Sequence, residues 1–572
     1  MVVEGGEAAV PARRVIRAGE TIPHALRALA GETRSGFTFE GIGGSRFVSF
    51  AELAAGAASR ARHLAAAGVK RGDTVALVIP EPEDFVLAFL GLLTAGVVPV
   101  PMYPPLGPSR LDAYLHTATH IFRTSGARAI VTNLPLASAL APFVSRLPGL
   151  DVITTDTLSR DAPGEPPDPN LVRPEDVAFL QFTSGSTDAP RGARVTHANI
   201  AANCHAIAVD SLNIDNRDTG VSWLPLFHDM GLVGFVLTPV LYRIPVVLIP
   251  TLDFVRRPAI WMQAVHRHRG TITFAPNFAL ALVARQRPSD GLDLSCLRVL
   301  GCGAEPIHSG TVRRFTDAYA TTGLRPAAML PCYGMAEATL AISFSGLDEP
   351  MTTDLVDVDT SASGGRAVPP APGGAGAARE FVSCGRVIAG HTISVVDETG
   401  QPLPDRTIGE VVFRGPSVAA GYHNNPEATA ATFTATGLKT GDLGYLAGGA
   451  LFVTGRKKDL LILNGRNYDP HVVERTVEDI PGVRRGAVVA FTRPSPDSEE
   501  LVVAAETRNP DDDAVPGEIR RRVSDQLQLS VADVVILERG SLPKTSSGKL
   551  QRSAVRDRYL SSAAAGAAGT GV

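Results

Sequence analysis

Short apolar runs rich in β-branched residues recur along the first half of the chain, and longer stretches with a helical pattern separate them. These runs lie at 74–79, 97–100, 129–132, 177–182, 246–249 and 297–300. Each has the length and composition of a buried strand. A Ser-x-x-Glu sequence at 49–52 is typical of a helix start and predicts a helix that ends near Gly68. Strands that alternate with helices predict an α/β fold, with open sheets that carry helices on their faces.

The pattern changes in the last third of the chain. At 388–413 two strand-like runs flank the turn-rich stretch 397–404, which predicts a small antiparallel or barrel-like subdomain. A domain boundary is expected near 457–459, because a further compact α/β pattern follows it. The segments 361–379 and 561–572 are rich in small residues and are predicted to be disordered.

Two longer apolar stretches, at 86–102 and 232–250, are interrupted by glycine and proline. Each therefore predicts a buried helix, a turn and a strand, and the sequence predicts no integral membrane segment. Residues 1–14 contain no apolar core of signal-peptide length, so no targeting segment is expected.

Charge and cysteine usage narrow the class of protein. The net charge is -4 and no basic stripe is visible, which argues against nucleic acid as a partner. The five cysteines have no C-x-x-C spacing, which favours reduced thiols in a cytoplasmic protein over a disulfide framework or a metal site.

A loop rich in hydroxyl groups and glycine follows the predicted strand at 177–182. It contains Thr183, Ser184, Gly185, Ser186, Thr187, Asp188, Ala189, Pro190, Arg191 and Gly192. Glycine lets backbone N–H groups approach an anion closely, hydroxyls add neutral donors and Arg191 adds charge, so the loop is suited to phosphate. A helix predicted to start near 196 would direct its N-terminal dipole at the same site. Taken alone, a polar surface turn is the commoner explanation of such a sequence.

Lysine is rare in this chain. Of the 54 basic residues six are lysines, and most of these lie in the last quarter. Lys549 stands in a second Gly/Ser/Thr loop at 543–552. In a chain that otherwise uses arginine, a lysine here indicates a site that requires a compact ammonium rather than a planar guanidinium. A solvated lysine is the alternative explanation of this loop when it is considered alone.

Three more sequences accompany these two loops: LPCYGMAEAT at 330–339, KTGDLG at 439–444 and GRKKD at 455–459. In this order and at this spacing, the five together resemble the adenylate-forming superfamily of acyl-CoA synthetases, adenylation domains and luciferases. The resemblance spans nearly the whole chain. Residues 99–105, 222–232 and 275–278 resemble the fatty acyl-AMP ligase branch, whose members include long-chain fatty-acid–AMP ligases.

The resemblance implies a domain organisation. A large N-terminal domain at 1–456 would hold two helix-flanked β-sheets and a distorted β-barrel subdomain. A small mobile α+β domain at 457–560 would follow, and then the disordered tail at 561–572. An insertion specific to the ligase branch, which would hinder the arrangement that CoA requires, is expected at about 346–381. Its Gly/Ala/Pro-rich second half could equally be a surface loop without a role.

The resemblance also implies ATP and Mg²⁺ as cofactors. Residues 183–187 and Arg191 would cradle the β- and γ-phosphates, with Glu337 as the magnesium ligand and Thr187 as a further contact to the metal. The wider superfamily commonly has Gly and Lys where this chain has Asp188 and Arg191. Arg191 retains the charge, whereas Asp188 places a carboxylate near the phosphates.

Further roles follow from the resemblance. Gly303, Ala304, Glu305 and Pro306 would line the adenine, and Tyr333 would stack on it. The nucleotide site would be completed by Gly334, Met335 and Ala336. Asp442 would bind both ribose hydroxyls, with Arg456 nearby. Lys549 would contact the substrate carboxylate and the α-phosphate. Glu337 could instead be a helix N-terminal acid, and Asp442 a turn former.

The acyl side of the site is expected near four aromatic residues and a histidine. His228 would lie beside the acyl carboxylate, and an acyl pocket would be lined by Trp223, Phe235, Trp261 and Phe278. A buried, satisfied histidine and ordinary core aromatics are the alternatives. Lys458 and Asp459 would form the hinge of the small domain.

The implied function is the ATP-dependent activation of a fatty acid to an acyl-adenylate with release of pyrophosphate. The acyl group would then pass to the phosphopantetheine thiol of an acyl carrier protein, or of a carrier domain in a polyketide or nonribosomal synthase. A fatty acyl-CoA synthetase, an amino-acid or aryl-acid adenylation domain and a non-catalytic adenylate-binding regulator are the alternatives. The sequence lacks the P-loop spacing and a G-x-S-x-G motif, which excludes P-loop NTPases and α/β-hydrolases.

Overall fold

The central feature of the fold is a sheet in which nine strands are described. The computed structural model describes residues 14–15, 17–105, 111–147, 149–160, 163–165, 167–183, 190–357, 360–361, 365–371, 378–463, 466–495, 499–510, 512–544 and 550–568. In spatial order the strands are Arg386–Val387, Ala341–Phe344, Met329–Gly334, Val299–Cys302, Ile272–Ala275, Gly220–Ser222, Val246–Leu248, Gly36–Gly41 and Gly44–Ser49. The strands from Met329–Gly334 to Gly36–Gly41 pair in parallel, so their carboxyl ends meet at one end of the sheet.

A second sheet is parallel throughout the described residues. Its strands, in spatial order, are Val98–Pro101, Thr74–Val78, Ala129–Thr132 and Asp151–Thr154. The helix Phe50–Ala66 begins where the sequence predicts: the Glu52 N–H donates to the Ser49 hydroxyl at 3.2 Å, and the Ser49 N–H donates to the Glu52 carboxylate at 2.8 Å. The α/β prediction is confirmed by these two helix-flanked sheets.

The helices cover the faces of the sheets. The described α-helices that precede the C-terminal segment are Ile22–Ala28, Phe50–Ala66, Pro82–Thr94, Leu111–Ser125, Leu134–Val144, Thr155–Leu158, His197–His205, Asp229–Leu232, Thr238–Tyr242, Thr251–Arg256, Ala259–Arg267, Asn277–Val283, Ser309–Ala318 and Pro426–Thr432. Ala206–Ser211 and Val233–Leu237 are π-helical. Short π segments inside helices are often found at functional sites.

The predicted antiparallel subdomain is a sheet in which five strands are described. They are Thr392–Val396, Gly409–Arg414, Gly437–Ala447, Phe433–Thr434 and Ala450–Arg456. A separate antiparallel pair joins Thr353–Asp357 to Ala378–Val382 within the predicted insertion. Ala378 and Arg379 are thus part of a strand, although the sequence predicts disorder there, because pairing with a strand more than 20 residues earlier leaves no local signal.

The C-terminal segment forms its own sheet and hydrophobic clusters. Its described strands are Leu461–Leu463, Arg466–Tyr468, Val483–Pro494, Glu499–Thr507 and Val531–Leu537, and its helices are Pro470–Glu478, Ala514–Leu527 and Arg552–Ala568. Two clusters of buried apolar side chains are drawn from residues 461–555 alone. The domain boundary itself stays a prediction. The last helix extends through 561–568, where a disordered tail is predicted, because alanine has the highest helix propensity.

The two long apolar stretches each fold as a helix followed by a strand, as their glycine and proline interruptions predict. The helix Pro82–Thr94 is followed by the strand Val98–Pro101, and the helix Thr238–Tyr242 by the strand Val246–Leu248. Among the described residues we find no helix with the length and hydropathy that crossing a bilayer requires.

Candidate active site

The loops at the carboxyl end of the nine-stranded sheet carry most of the predicted site residues. Trp223 and His228 follow the strand Gly220–Ser222, and Phe278 follows Ile272–Ala275. The residues 303–306 and 335–337 follow the next two parallel strands. Ligands of open α/β sheets bind outside this end of the strands, so the topology places these side chains where a ligand is expected.

Tyr333, Asp442 and Arg456 form a hydrogen-bonded group in which Asp442 is buried, Tyr333 is half-buried and Arg456 is exposed. The Tyr333 hydroxyl donates to Asp442 Oδ2 at 2.6 Å, and Arg456 Nε donates to Asp442 Oδ1 at 3.1 Å. Burial and the adjacent Asp442 carboxylate raise the pKa of Tyr333, so its hydroxyl stays protonated and acts as a donor. The group fixes the orientation of the carboxylate that is predicted to bind the ribose.

Glu337 lies in a second buried contact. Its Oε1 accepts a hydrogen bond from the Tyr422 hydroxyl at 2.7 Å, and the Arg191 guanidinium lies 5.7 Å from the Tyr422 ring centroid. Burial raises the pKa of Glu337, whereas the Tyr422 hydrogen bond opposes this shift. Tyr422 therefore connects the predicted magnesium ligand to the cation of the phosphate loop.

The ends of the phosphate loop are held together by a β-hairpin. The strands Val177–Phe182 and Gly192–Thr196 pair, and the Thr183 N–H donates to the Arg191 carbonyl at 3.0 Å. Ser184, Gly185, Ser186 and Thr187 lie outside the described residues, so their predicted contacts stay predictions. The sequence predicts that the helix starting near 196 directs its N-terminus at this loop, and the hairpin shows that this is wrong. Thr196 caps the helix His197–His205 and pairs with Val177, at the end of the hairpin opposite the loop. The helix therefore begins far from the phosphate loop.

The loop at 303–306 is shaped by close approach to the neighbouring strand. A Cβ at Gly303 would lie 2.7 Å from the Cys332 sulfur, so only glycine fits there. Ala304 follows with φ of 66°, a conformation that turns the chain out of the sheet. The Glu305 carboxylate accepts a hydrogen bond from the Phe278 N–H at 2.5 Å and ties the two loops together.

A cavity of about 1930 Å³ joins these groups. Many of the predicted site residues for which the structure gives a position line this cavity. They include Thr183, Arg191, His228, Ala304, Glu305, Pro306, Tyr333, Gly334, Met335, Ala336, Glu337, Asp442, Arg456, Lys458 and Asp459. Gly303 lies behind the lining. The nucleotide end of this cavity is defined by Arg191, Tyr333, Glu337, Asp442 and Arg456. The apolar arm is defined by Trp223, Phe235, Val246, Ile272, Phe274 and Phe278.

Three of the four predicted acyl-pocket aromatics line the apolar arm, and Trp261 does not. Trp261 is fully buried, its indole N–H donates to Thr273 Oγ1 at 2.8 Å, and its ring packs 6.0 Å from that of Trp223. Its assignment to the acyl pocket is therefore wrong: it supports Trp223 from behind. Sequence periodicity cannot separate a residue that faces a cavity from one that faces the core behind it.

His228 lies in the wall of the cavity that contains the nucleotide end and the apolar arm. It precedes the helix Asp229–Leu232, lines the cavity, and its ring centroid lies 4.9 Å from that of Phe227. This position is compatible with the predicted contact to an acyl carboxylate, which stays a prediction.

The predicted hinge is bound to the C-terminal segment through Arg552. This guanidinium donates to Asp459 Oδ2 at 2.8 Å and to both oxygens of Glu474, at 2.7 and 2.8 Å. A second ion pair links the insertion strand to the same segment: Arg379 Nη1 lies 2.5 Å from Asp469 Oδ2. Lys549 lies outside the described residues.

Comparison with known proteins agrees with this geometry. Residues 30–423 match the family of AMP-binding enzymes. This chain belongs to the AMP-binding enzyme family. The match covers more than half of the chain, and it confirms the resemblance to adenylate-forming ligases that the sequence motifs indicate.

Individual members of the family match nearly the whole chain. A Caulobacter vibrioides protein provisionally named as an acyl-CoA synthetase is 38% identical over 519 residues, which cover 89% of this chain and 90% of that protein. The long-chain-fatty-acid–AMP ligase FadD26 of Mycobacterium marinum is 36% identical over 527 residues, which cover 86% of this chain and 88% of that protein. A solved structure from studies of fatty acyl-adenylate ligases of E. coli and L. pneumophila is 33% identical, with a TM-score of 0.91 and coverage of 97% of this chain and 100% of that chain.

This AMP-binding enzyme also contains site residues that the sequence alone did not suggest. Tyr422 binds Glu337 across 85 positions of sequence, and Arg379 binds Asp469 across 90. Only tertiary structure brings such residues together, and no local motif marks them. Asp229, adjacent to His228, also lines the cavity and is close enough to act on the pKa of Glu337.

Proposed function

We propose that this chain is a cytoplasmic enzyme that uses ATP and Mg²⁺ to convert a fatty acid to its acyl-adenylate, with release of pyrophosphate. It then passes the acyl group to the phosphopantetheine thiol of an acyl carrier protein or of a synthase carrier domain. The observation that carries this proposal is one cavity in which the nucleotide end and the apolar arm are continuous. Relatives that are named fatty-acid–AMP ligases support the same substrate class.

The residues at the nucleotide end fit a magnesium ion that is shared with phosphate. Glu337 is a buried carboxylate, one oxygen of which is occupied by Tyr422, and the Asp229 carboxylate adds negative charge nearby. No group of three or more His, Cys, Asp or Glu side chains able to hold a metal occurs in the described part of the chain. Mg²⁺ usually takes one or two protein carboxylates and completes its shell with substrate phosphates and water, so Glu337 is a sufficient anchor. When bound, the ion neutralises the charge of the leaving pyrophosphate.

The other residues hold two anions together in line. Arg191 supplies positive charge to the β- and γ-phosphates, Asp442 binds the ribose hydroxyls, and His228 lies beside the acyl carboxylate. Lys549 is proposed to reach the carboxylate and the α-phosphate from the small domain. In this scheme catalysis consists of positioning and of charge stabilisation, and no covalent intermediate with the protein is needed.

The acceptor distinguishes this proposal from its main alternative, a fatty acyl-CoA synthetase, which the name of the Caulobacter relative favours. The Arg379–Asp469 ion pair supports the carrier protein as acceptor, because it binds the predicted insertion to the small domain. Both side chains of this pair are nearly buried. A small domain held in this way is hindered from the rotation that a CoA thiol would require.

The experiment that tests the proposal measures the first and second steps separately. The enzyme is incubated with ATP, Mg²⁺ and fatty acids of graded length, and pyrophosphate exchange is measured. The same mixtures then receive CoA or a phosphopantetheinylated carrier protein, and mass spectrometry identifies the acylated product. Exchange that depends on a fatty acid, with transfer to the carrier, is expected. Absence of exchange with every fatty acid would contradict the first step, and transfer to CoA alone would contradict the second.

A further inference from the structure

The apolar arm reaches the protein surface between two short helices, Thr251–Arg256 and Asn277–Val283. Leu252, Val255 and Phe278 line the cavity, yet 50%, 58% and 38% of their surfaces are exposed. Trp223 is buried in the arm, and its ring centroid lies 6.1 Å from that of Phe278. The exposed residues therefore surround a mouth through which the arm opens to the outside.

The two helices present similar faces at this mouth. We call the rim the six residues Leu252, Val255, Arg256, Phe278, Leu282 and Arg285. Leu252, Val255 and Arg256 are spaced i, i+3 and i+4, and Phe278 and Leu282 are spaced i and i+4, so each group lies along one side of its helix. Arg256 is the last residue of the first helix, and Arg285 follows the last residue of the second helix by two positions.

Positive charge is concentrated around the rim. The four arginines there, Arg256, Arg257, Arg285 and Arg287, are exposed, whereas the protein as a whole has a net charge of -4. Three acids lie near these arginines in sequence or contact: Asp253 accepts from the Ile42 N–H at 2.9 Å, Glu305 accepts from the Phe278 N–H, and Asp290 is exposed three residues after Arg287.

We propose that the rim docks on an anionic lipid bilayer, so that the fatty acid passes between the bilayer and the apolar arm without exposing its chain to water. Exposed apolar side chains beside arginines are what an anionic lipid surface binds, through burial of apolar area and attraction to lipid phosphates. A long acyl chain pays a large free-energy cost in water, which direct transfer avoids. The proposal rests on the fatty-acid substrate of the proposed function.

Vesicle binding tests the docking without any catalytic step. The full chain is sedimented with vesicles of phosphatidylcholine alone and of phosphatidylcholine with phosphatidylglycerol. Binding to the anionic vesicles only, weakened by salt, is expected. Replacing Arg256 and Arg257 by glutamine should reduce the partition coefficient about 30-fold at low salt, because each arginine near an anionic surface contributes about five-fold. Val255→Glu should also weaken binding.

The control variant carries the same loss of charge elsewhere. Arg556 and Arg558 are exposed on the last helix, and their replacement by glutamine should leave vesicle binding unchanged. If wild-type protein binds neither kind of vesicle, or if both double variants lose binding equally, the docking proposal is overturned.

An activity measurement separates this proposal from the function on which it rests. With octanoate, which is soluble, the Arg256→Gln, Arg257→Gln variant should keep pyrophosphate exchange within about two-fold of wild type, since neither arginine lines the cavity. With hexadecanoate supplied in anionic vesicles, exchange should fall about ten-fold or more. Equal rates for variant and wild type with the vesicle substrate would overturn the docking proposal, whereas no exchange with any acid would overturn the proposed function.

Discussion

At the scale of single residues, two tyrosine hydroxyls bind the two carboxylates that are predicted to hold the ribose and the magnesium ion. Tyr333 donates to Asp442, and Tyr422 donates to Glu337. Burying a carboxylate costs free energy unless it is hydrogen-bonded, so each tyrosine stabilises its acid in a fixed orientation. Tyr333 lies in a sequence that the resemblance selects, whereas Tyr422 is recognised only from its contact in the folded chain.

Tyr422→Phe is predicted to weaken the response to Mg²⁺. Without the hydroxyl, nothing replaces the hydrogen bond that opposes the rise in the pKa of Glu337, so the carboxylate holds its charge less well. The magnesium concentration for half-maximal pyrophosphate exchange should rise about 5- to 13-fold at saturating ATP, as a hydrogen bond of about 1 to 1.5 kcal/mol implies. Tyr445→Phe is the matched control, because that hydroxyl donates to Asp354 at 2.6 Å away from the cavity lining. A magnesium requirement unchanged in Tyr422→Phe would show that Glu337 does not depend on this contact.

Lys549→Ala is predicted to lose on the order of 10² to 10³ in the rate of adenylation, the usual effect of removing one electrostatic stabiliser of a transition state. Pyrophosphate exchange measures this step alone. Lys544→Ala removes the same charge from the start of the same loop, where the ammonium donates to the Gly486 carbonyl, and should have a much smaller effect. Exchange at the wild-type rate in Lys549→Ala would refute the assignment.

At the scale of elements, the phosphate loop shows where sequence patterns suffice and where they do not. The apolar run at 177–182, the capping box before Phe50–Ala66 and the strand–helix alternation all have local signals, and the structure confirms them. The strand Gly192–Thr196 was not predicted, because a short run with a glycine and an arginine does not alternate. That strand carries the helix His197–His205 away from the loop.

The helix His197–His205 begins on a buried histidine, and this predicts a pH dependence. Burial lowers the pKa of His197 to about 4, from 6.5, although Asp176 opposes the shift. Because the folded pKa is depressed, the neutral ring stabilises the fold above pH 6.5, and this contribution is lost as pH falls toward 4. Between pH 7 and 4, the free energy of unfolding of His197→Gln should therefore fall by about 3 kcal/mol less than that of the wild type. Denaturant titrations at several pH values measure it, and parallel curves for the two proteins would contradict it.

The π-helical segment Val233–Leu237 gives a prediction for the apolar arm. Gly234 lines the cavity, and a Cβ there would lie 3.7 Å from the Leu340 side chain, an ordinary contact. Gly234→Leu should therefore fold but fill part of the arm, lowering kcat/KM for hexadecanoate about ten-fold while octanoate changes less. Gly517→Leu, where an added side chain meets open space, is the control. Equal losses for both acids would mean that Gly234 does not limit chain length.

At the scale of the whole molecule, the C-terminal segment has its own hydrophobic clusters, and polar contacts bind it to the rest of the chain. Arg379 and Asp469 form one such contact across 90 residues, between the insertion strand Ala378–Val382 and the start of the helix Pro470–Glu478. The resemblance predicts both an insertion and a mobile domain. It does not predict which residues join them, because that depends on a pairing between two distant surfaces.

Arg379→Ala is predicted to release the small domain and to allow CoA as an acceptor. Arg379 lowers the pKa of the buried Asp469, and removing one partner of a buried ion pair leaves an uncompensated charge that costs about 3–5 kcal/mol. This cost falls on the arrangement in which the two surfaces are in contact, so other orientations of the small domain gain population. Mass spectrometry should then show acyl-CoA increasing at least about ten-fold relative to wild type, with pyrophosphate exchange largely retained.

The control for this variant removes the ion pair of the next residue on the same strand, Glu380. Arg313 pairs with Glu380, the residue next to Arg379, but binds it to the helix Ser309–Ala318 of the larger part of the chain. Arg313→Ala therefore perturbs the insertion without touching the small domain, and its acyl-CoA yield should stay at the wild-type level. If both variants formed acyl-CoA equally, the insertion itself would exclude CoA. If neither did, the ion pair would be a local stabilising contact, and the choice of acceptor would have to be made elsewhere in the cavity.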